Sequence, residues 1–154
     1  MGTSFVSLET TDDENEIGFW MRDSVLELWL RLLALHVPEP DRDNRKLSYE
    51  IRNHWLLASQ IHFNGCVPHM LEDDASTEEG RVIIRSAIHS LLPRLQKAPP
   101  ILNEKILDLL GFEESWNFEF ETFRLIEVGE AFLALLDGKL TCTVRETNFM
   151  PGCK

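Results

Sequence analysis

His62, Cys66 and His69 carry the donor types that a zinc ion takes, and Cys142 is a fourth candidate from far along the chain. Tetrahedral zinc draws on imidazole nitrogen and thiolate sulfur, and Gly65 and Pro68 would let a loop turn about an ion. A metal-assisted hydrolase could be built on such a trio. The spacing matches no recognised zinc pattern, however, and the chain has no Cys-x-x-Cys pair. The residues therefore predict a buried thiol and two surface histidines near a helix C-terminus, where positive charge is welcome. Neither a metal nor any other cofactor is expected.

Other catalytic arrangements fare no better. Glu119 and Glu121 alternate with Trp116, Phe118 and Phe120 in the run 116–122, so both carboxylates belong on the wet side of a strand. Paired carboxylates do acid–base work only when one of them is desolvated. No serine sits in a Gly-x-Ser-x-Gly elbow, and the glycines are scattered singly rather than gathered in a phosphate loop. His89 follows Ile88 on an otherwise apolar stretch and reads as a core or boundary histidine. The residues predict a protein that is not an enzyme.

Charge is more informative. The chain holds 15 Lys and Arg against 26 Asp and Glu, a formal net charge of −11. That balance excludes the basic footprint that a phosphate backbone needs, and it disfavours an anionic membrane surface. The acids are clustered: residues 9–16 hold five and no base, residues 72–79 hold five and no base, and residues 108–130 hold seven with Arg124 as the one base. Bases gather instead at Arg42, Arg45, Lys46, Arg81, Arg85, Arg94 and Lys97. Clustered acids can be a solvated face, or they can be the complement of a basic partner. On the second reading the partner-binding residues are Glu72, Asp73, Asp74, Glu78 and Glu79 together with Glu113, Glu114, Glu119 and Glu121. Trp116 and Phe120 would be the apolar anchors that charge alone lacks.

The elements that must position these residues are mostly helical. At 154 residues and 17.8 kDa the chain suits one domain that needs no disulfide staple. Residues 1–16 are acidic and aperiodic and predict a frayed tail, leaving 17–154 as a single helical domain. A helix over Trp20 to Val37 is apolar on all but one narrow stripe of Asp23, Glu27 and Arg31, so it should be the central one, with Glu27 and Arg31 as an i, i+4 pair. A second helix is expected over Arg45 to Phe63, ended by Asn64-Gly65, and a loop over Cys66 to Ala75. A third opens at the capping box Ser76–Glu79 and meets Pro93 as a kink or an early end. A fourth runs from Ile101 to Leu110 and a fifth from Val128 to Leu136, with a small β element near residues 115–126 and a short strand over Thr141–Val144. The fold class is thus mostly α, a bundle of about five helices. Trp20, Trp29 and Trp55 read as core filling.

Three cysteines, Cys66, Cys142 and Cys153, are too few for a disulfide framework and predict a reducing cytoplasm, with a Cys66–Cys142 bridge as the alternative. The N-terminal residues lack a basic stretch followed by an apolar one, so no signal peptide is expected. The apolar run Val25–Val37 is broken by Glu27, Arg31 and His36, so no membrane span is expected either.

Two stretches, Ile51-Arg-Asn-His-Trp-Leu-Leu-Ala-Ser59 continuing to Phe63-Asn-Gly-Cys66, and Phe123-Arg-Leu-Ile-Glu-Val-Gly-Glu-Ala-Phe-Leu-Ala-Leu-Leu136, resemble segments of small bacterial immunity proteins encoded beside polymorphic toxins. The likeness covers about a third of the chain. It implies a non-catalytic, cytoplasmic protein that neutralises one cognate toxin by tight complex formation, often through an acidic surface set against a basic nuclease site. The second stretch also resembles the last strand and helix of a winged-helix domain (Leu-x-x-x-Gly-x-x-Phe-Leu), which implies a small regulatory or adaptor domain. The acidic surroundings and the lack of a basic recognition helix separate it from the DNA binding of that family.

Overall fold

The computed structural model describes residues 2–11, 13–39, 41–43, 45–60, 65–112 and 116–153. Among them the order of elements is β1 (Thr3–Ser7), β2 (Gly18–Arg22), α1 (Asp23–His36), α2 (Arg45–Gln60), α3 (Leu71–Asp74), α4 (Glu78–Lys97), β3 (Ile101–Leu102), α5 (Glu104–Asp108), β4 (Phe120–Glu121) and α6 (Thr122–Leu136). This is the expected mostly-α domain with a small β component, built on six helices.

The central position of α1 follows from its composition. Val25, Leu26, Leu28, Trp29, Leu30 and Leu33 are all buried, and so are the three members of its polar stripe, Asp23, Glu27 and Arg31. α2 and α4 both pack on α1, and α6 packs on α4. Trp29 meets Phe132 of α6 at 5.5 Å between ring centroids, and Trp55 of α2 is buried as well. Arg31 is held by what it touches: Nη2 donates to the Gly111 carbonyl at 3.2 Å, and the guanidinium lies 5.2 Å from the Phe112 ring centroid. Burial lowers its pKa.

The N-terminal residues overturn the expectation of a frayed tail. Thr3–Ser7 is a strand, antiparallel to Gly18–Arg22 with Val6 opposite Phe19. Val6, Phe19 and Met21 are fully buried, and Phe5 packs on Trp20 at 5.3 Å between centroids. Glu9, Asp13, Glu14 and Glu16 belong to the connection between the strands, and this acidic run obscures the alternation on either side. Trp20, expected to begin the first helix, lies in β2 and donates its indole N–H to the Val144 carbonyl at 2.8 Å. The expected strand over Thr141–Val144 is reduced to one bridge, Thr143 to Ile17.

Several element boundaries differ from expectation. α4 is capped by Thr77 rather than Ser76: Thr77 Oγ1 accepts from the Gly80 N–H at 3.1 Å, while the Ser76 hydroxyl points back and donates to the Asp73 carbonyl at 2.7 Å. Gly80 has no room for a side chain: a Cβ there would stand 1.8 Å from the Asp74 carbonyl oxygen. α4 runs on through Pro93 to Lys97, with Leu91 and Leu95 buried on either side. The expected helix over Ile101–Leu110 divides, since Ile101–Leu102 pairs with Phe120–Glu121 and Asn103 then caps a shorter helix by accepting from the Ile106 N–H. The loop expected over Cys66–Ala75 contains the single turn α3. α6 begins at Thr122, six residues before the expected start at Val128.

The placement of β1 yields a stability prediction. Val6→Ala should lower the free energy of unfolding by about 2 kcal/mol, because it opens a cavity in a filled core. Urea denaturation of the full chain measures it. A residue in a frayed tail would leave the midpoint unchanged.

Candidate binding surface

The β3–β4 corner is assembled from residues 100–102 and 116–124. Its register sets Leu102 opposite Phe120 and Ile101 opposite Glu121. Side chains alternate across a strand pair, so Leu102 and Phe120 point to the core while Ile101 and Glu121 share the outer face. Thr122 fastens the junction with α6, its backbone N–H donating to the Pro100 carbonyl at 2.9 Å and its hydroxyl to the Pro99 carbonyl. The Trp116 N–H is bound by Asp108 Oδ1 at 3.2 Å, which leaves it outside the ladder and limits the expected strand of 116–122 to two residues.

This geometry changes the roles of the aromatics. Trp116 is 9% exposed and Phe120 5%, so neither is a surface anchor; both support the corner from within. Phe118, which was expected to share their side, is 51% exposed and leans on Trp116 at 5.0 Å between centroids. Phe123, 48% exposed, and Ile101 add further uncovered apolar surface. Glu119, next to Phe118 in the chain, is exposed. Glu121 is paired: Arg124 Nε reaches it at 2.7 Å while the guanidinium lies over Phe120 at 5.9 Å. Glu113 and Glu114 lie outside the described residues.

The second acidic segment is elsewhere. Glu78 and Glu79 begin α4 and the β3–β4 corner follows its end, so its 20 residues separate the two acidic segments by about 30 Å. They form two surfaces rather than one. Asp73, Glu78 and Glu79 are exposed, and Glu72 is partly buried. Asp74 is only 3% exposed and turns inward, accepting from His54 Nδ1–H at 2.7 Å, so it is removed from the proposed surface. Its second carboxylate oxygen has no hydrogen-bond partner. Burial pushes this carboxyl up to about 6, opposed by the hydrogen bond and charge of His54 and assisted by the negative charges of Asp73 and Glu72. No spacing rule links His54 to Asp74 across 20 residues, and the pair is invisible until α2 and α3 meet.

The metal-like trio is not assembled as the spacing suggested. His62 lies outside the described residues. Cys66 is exposed rather than buried, and His69 is buried rather than on the surface. Both His69 nitrogens are engaged: Nε2–H donates to the Phe5 carbonyl at 3.0 Å, and Nδ1 accepts from the Leu71 N–H at 3.1 Å. Glu72 Oε2 also lies 3.3 Å from His69 Nδ1. His69 is a strut between β1 and α3. Cys66, Cys142 and Cys153 are all free thiols, so the Cys66–Cys142 bridge is not formed. His89 is exposed, not in the core. Among the described residues no group of three or more His, Cys, Asp or Glu could hold a metal ion, and no helix is long and apolar enough to cross a membrane.

The inward carboxyl of Asp74 gives a signed pH prediction. Its folded pKa is raised, so its contribution to stability is complete below the unfolded value near 3.8 and is lost as pH rises through about 6. Asp74→Asn cannot ionise and escapes that loss. The stability of the natural chain relative to this variant should therefore fall between pH 4 and pH 7, by an amount on the order of 2 kcal/mol. Parallel urea titrations measure it, and a difference independent of pH would contradict the assignment.

Comparison with protein-family models, with curated proteins and with solved structures finds no match to this chain.

Proposed function

We propose that this chain is a non-catalytic binding protein that captures a basic protein, acting as a bacterial immunity protein that neutralises a cognate toxin in the cytoplasm. The supporting observation is the outer face of the β3–β4 corner, where half-exposed Phe118 rests on buried Trp116 and stands beside exposed Glu119. Aromatic side chains held rigidly from beneath are the usual energetic anchors of interfaces. A negative field around them speeds encounter with a positive partner and loses strength with salt. The net charge of −11 and the concentration of acids over residues 108–130 supply that field. The partner is thus a basic protein surface rather than a nucleic acid.

The roles divide by chemistry. Phe118 and Phe123 would bury apolar area and govern dissociation, and Glu119 would steer association. Glu121 serves chiefly to hold Arg124.

The test begins with affinity capture by the tagged full chain from its native host and identification of the basic protein retained. Toxicity of that protein is then measured with and without the chain. Phe118→Ala should raise the dissociation rate about tenfold or more with an unchanged melting temperature, because the side chain is already half outside the core. Glu119→Lys should slow association and reduce its dependence on salt. Unchanged kinetics in both variants would remove the corner from the interface, and a partner without toxicity would refute the immunity role.

A further inference from the structure

Beyond the corner, α6 presents Phe123, Glu127, Glu130 and Ala134, an i, i+4, i+7, i+11 series that lies along one helix face. This face leads into a groove of about 430 Å³ between α6 and the C-terminal segment. α6 lines it with buried Ala131, half-buried Ala134 and exposed Glu127 and Glu130, the C-terminal segment lines it with Phe149 and Met150, and the exposed carboxylates are taken as its rim.

The C-terminal segment is held in place. Phe149 forms a T-shaped pair with Phe19 at 6.0 Å between centroids. The Cys153 N–H donates to the Met150 carbonyl at 3.2 Å, closing a turn through buried Pro151 and Gly152. Gly152 has φ +78, and a Cβ there would stand 2.8 Å from Val128 Cγ2, so only glycine lets this turn seat on α6. The groove is therefore a standing feature of the folded chain. The Glu127 and Glu130 carboxylates are exposed, and among the described residues neither has a cationic partner.

We infer that this groove takes an aliphatic side chain ending in a cation, a lysine of the basic protein partner, with its methylene stem against Ala131, Ala134, Phe149 and Met150 and its ammonium between Glu127 and Glu130. Small residues on α6 make room for an unbranched stem, and the apolar lining repays burying it. The rim carboxylates attract the ammonium, and the partly exposed Phe149 ring adds apolar surface beside the stem. An anionic ligand meets like charge at the rim. A wholly apolar one would strip water from two carboxylates and return no hydrogen bond. The inference deepens the binding reading above by naming what the partner inserts, and its test needs no partner.

The experiment is an NMR titration of the isotopically labelled full chain with n-butylammonium, which has the stem and head of a lysine side chain. The outcome expected is a saturable shift confined to resonances of Ala131, Ala134, Phe149 and Met150, with n-butanol and tetramethylammonium giving none of it. Replacing both rim acids, Glu127→Gln with Glu130→Gln, should weaken binding about fivefold while the spectrum stays that of the folded chain. Shifts of equal size at Asp73, Glu78 and Glu119 would show attraction to negative charge alone and overturn the inference, as would no shift at the groove. Success here with failure of partner capture would leave the site and refute the partner reading. Failure here with successful capture would do the reverse.

Discussion

A carboxylate withdrawn from water must have its charge met by donors, and Asp23 imposes that requirement at the first residue of the central helix. It is buried, and it accepts the Ser4 hydroxyl at 2.7 Å and the Gly65 backbone N–H at 2.8 Å. Ser4 Oγ in turn accepts the Val67 N–H at 2.7 Å. The Asp23 N–H donates to the Gly2 carbonyl at 3.1 Å. A negative group at a helix start is also favoured by the helix dipole. One side chain thus ties β1 and the segment after α2 to the start of α1. The remainder follows in sequence: the segment placed by Gly65 and Val67 carries His69 to the Phe5 carbonyl, α3 comes after it, and α3 sets Asp74 against His54.

Much of the helical framework was legible because burial and periodicity agree along it. The apolar positions of α1, the Leu47–Ile51–Trp55–Ala58 stripe of α2 and the buried face of α4 all follow from spacing near 3.6 residues. The hairpin of β1 and β2 was not, because a strand of five residues beside a run of acids has too little pattern to declare itself. The polar stripe of α1 was legible as narrow, but its burial depended on distant partners such as Gly111, 80 residues from Arg31. The same limit governs Ser76: a capping box specifies a hydroxyl and an acid, yet the turn that sends the Ser76 hydroxyl back to the Asp73 carbonyl and leaves the cap to Thr77 arises only once α3 exists.

The β3–β4 corner, the proposed binding surface, shows how alternation can mislead in a short strand. Residues 116–122 alternate, but only Phe120 and Glu121 join a ladder, so the facing of Phe118 is decided by the chain's irregular approach and not by its period. The acidic character survives that change. It is divided by α4 into an N-terminal group, where Asp74 is spent on internal structure, and a group at the corner and along α6, where exposed acids adjoin exposed apolar side chains. Charge beside apolar area is what a partner-binding face requires, and the proposal of a binding role rests on the second group for that reason.

The dependence of the fold on the Asp23 clamp is tested most directly by a double-mutant cycle. Ser4→Ala, Asp23→Asn and the double variant are compared with the natural chain by urea denaturation at pH 7. The two groups share one buried network, so the account predicts a coupling energy of about 1–3 kcal/mol, with the double variant losing less than the sum of the single losses. Additive losses would show that Ser4 and Asp23 act independently, and would contradict a single clamp joining β1 and the segment after α2 to the central helix.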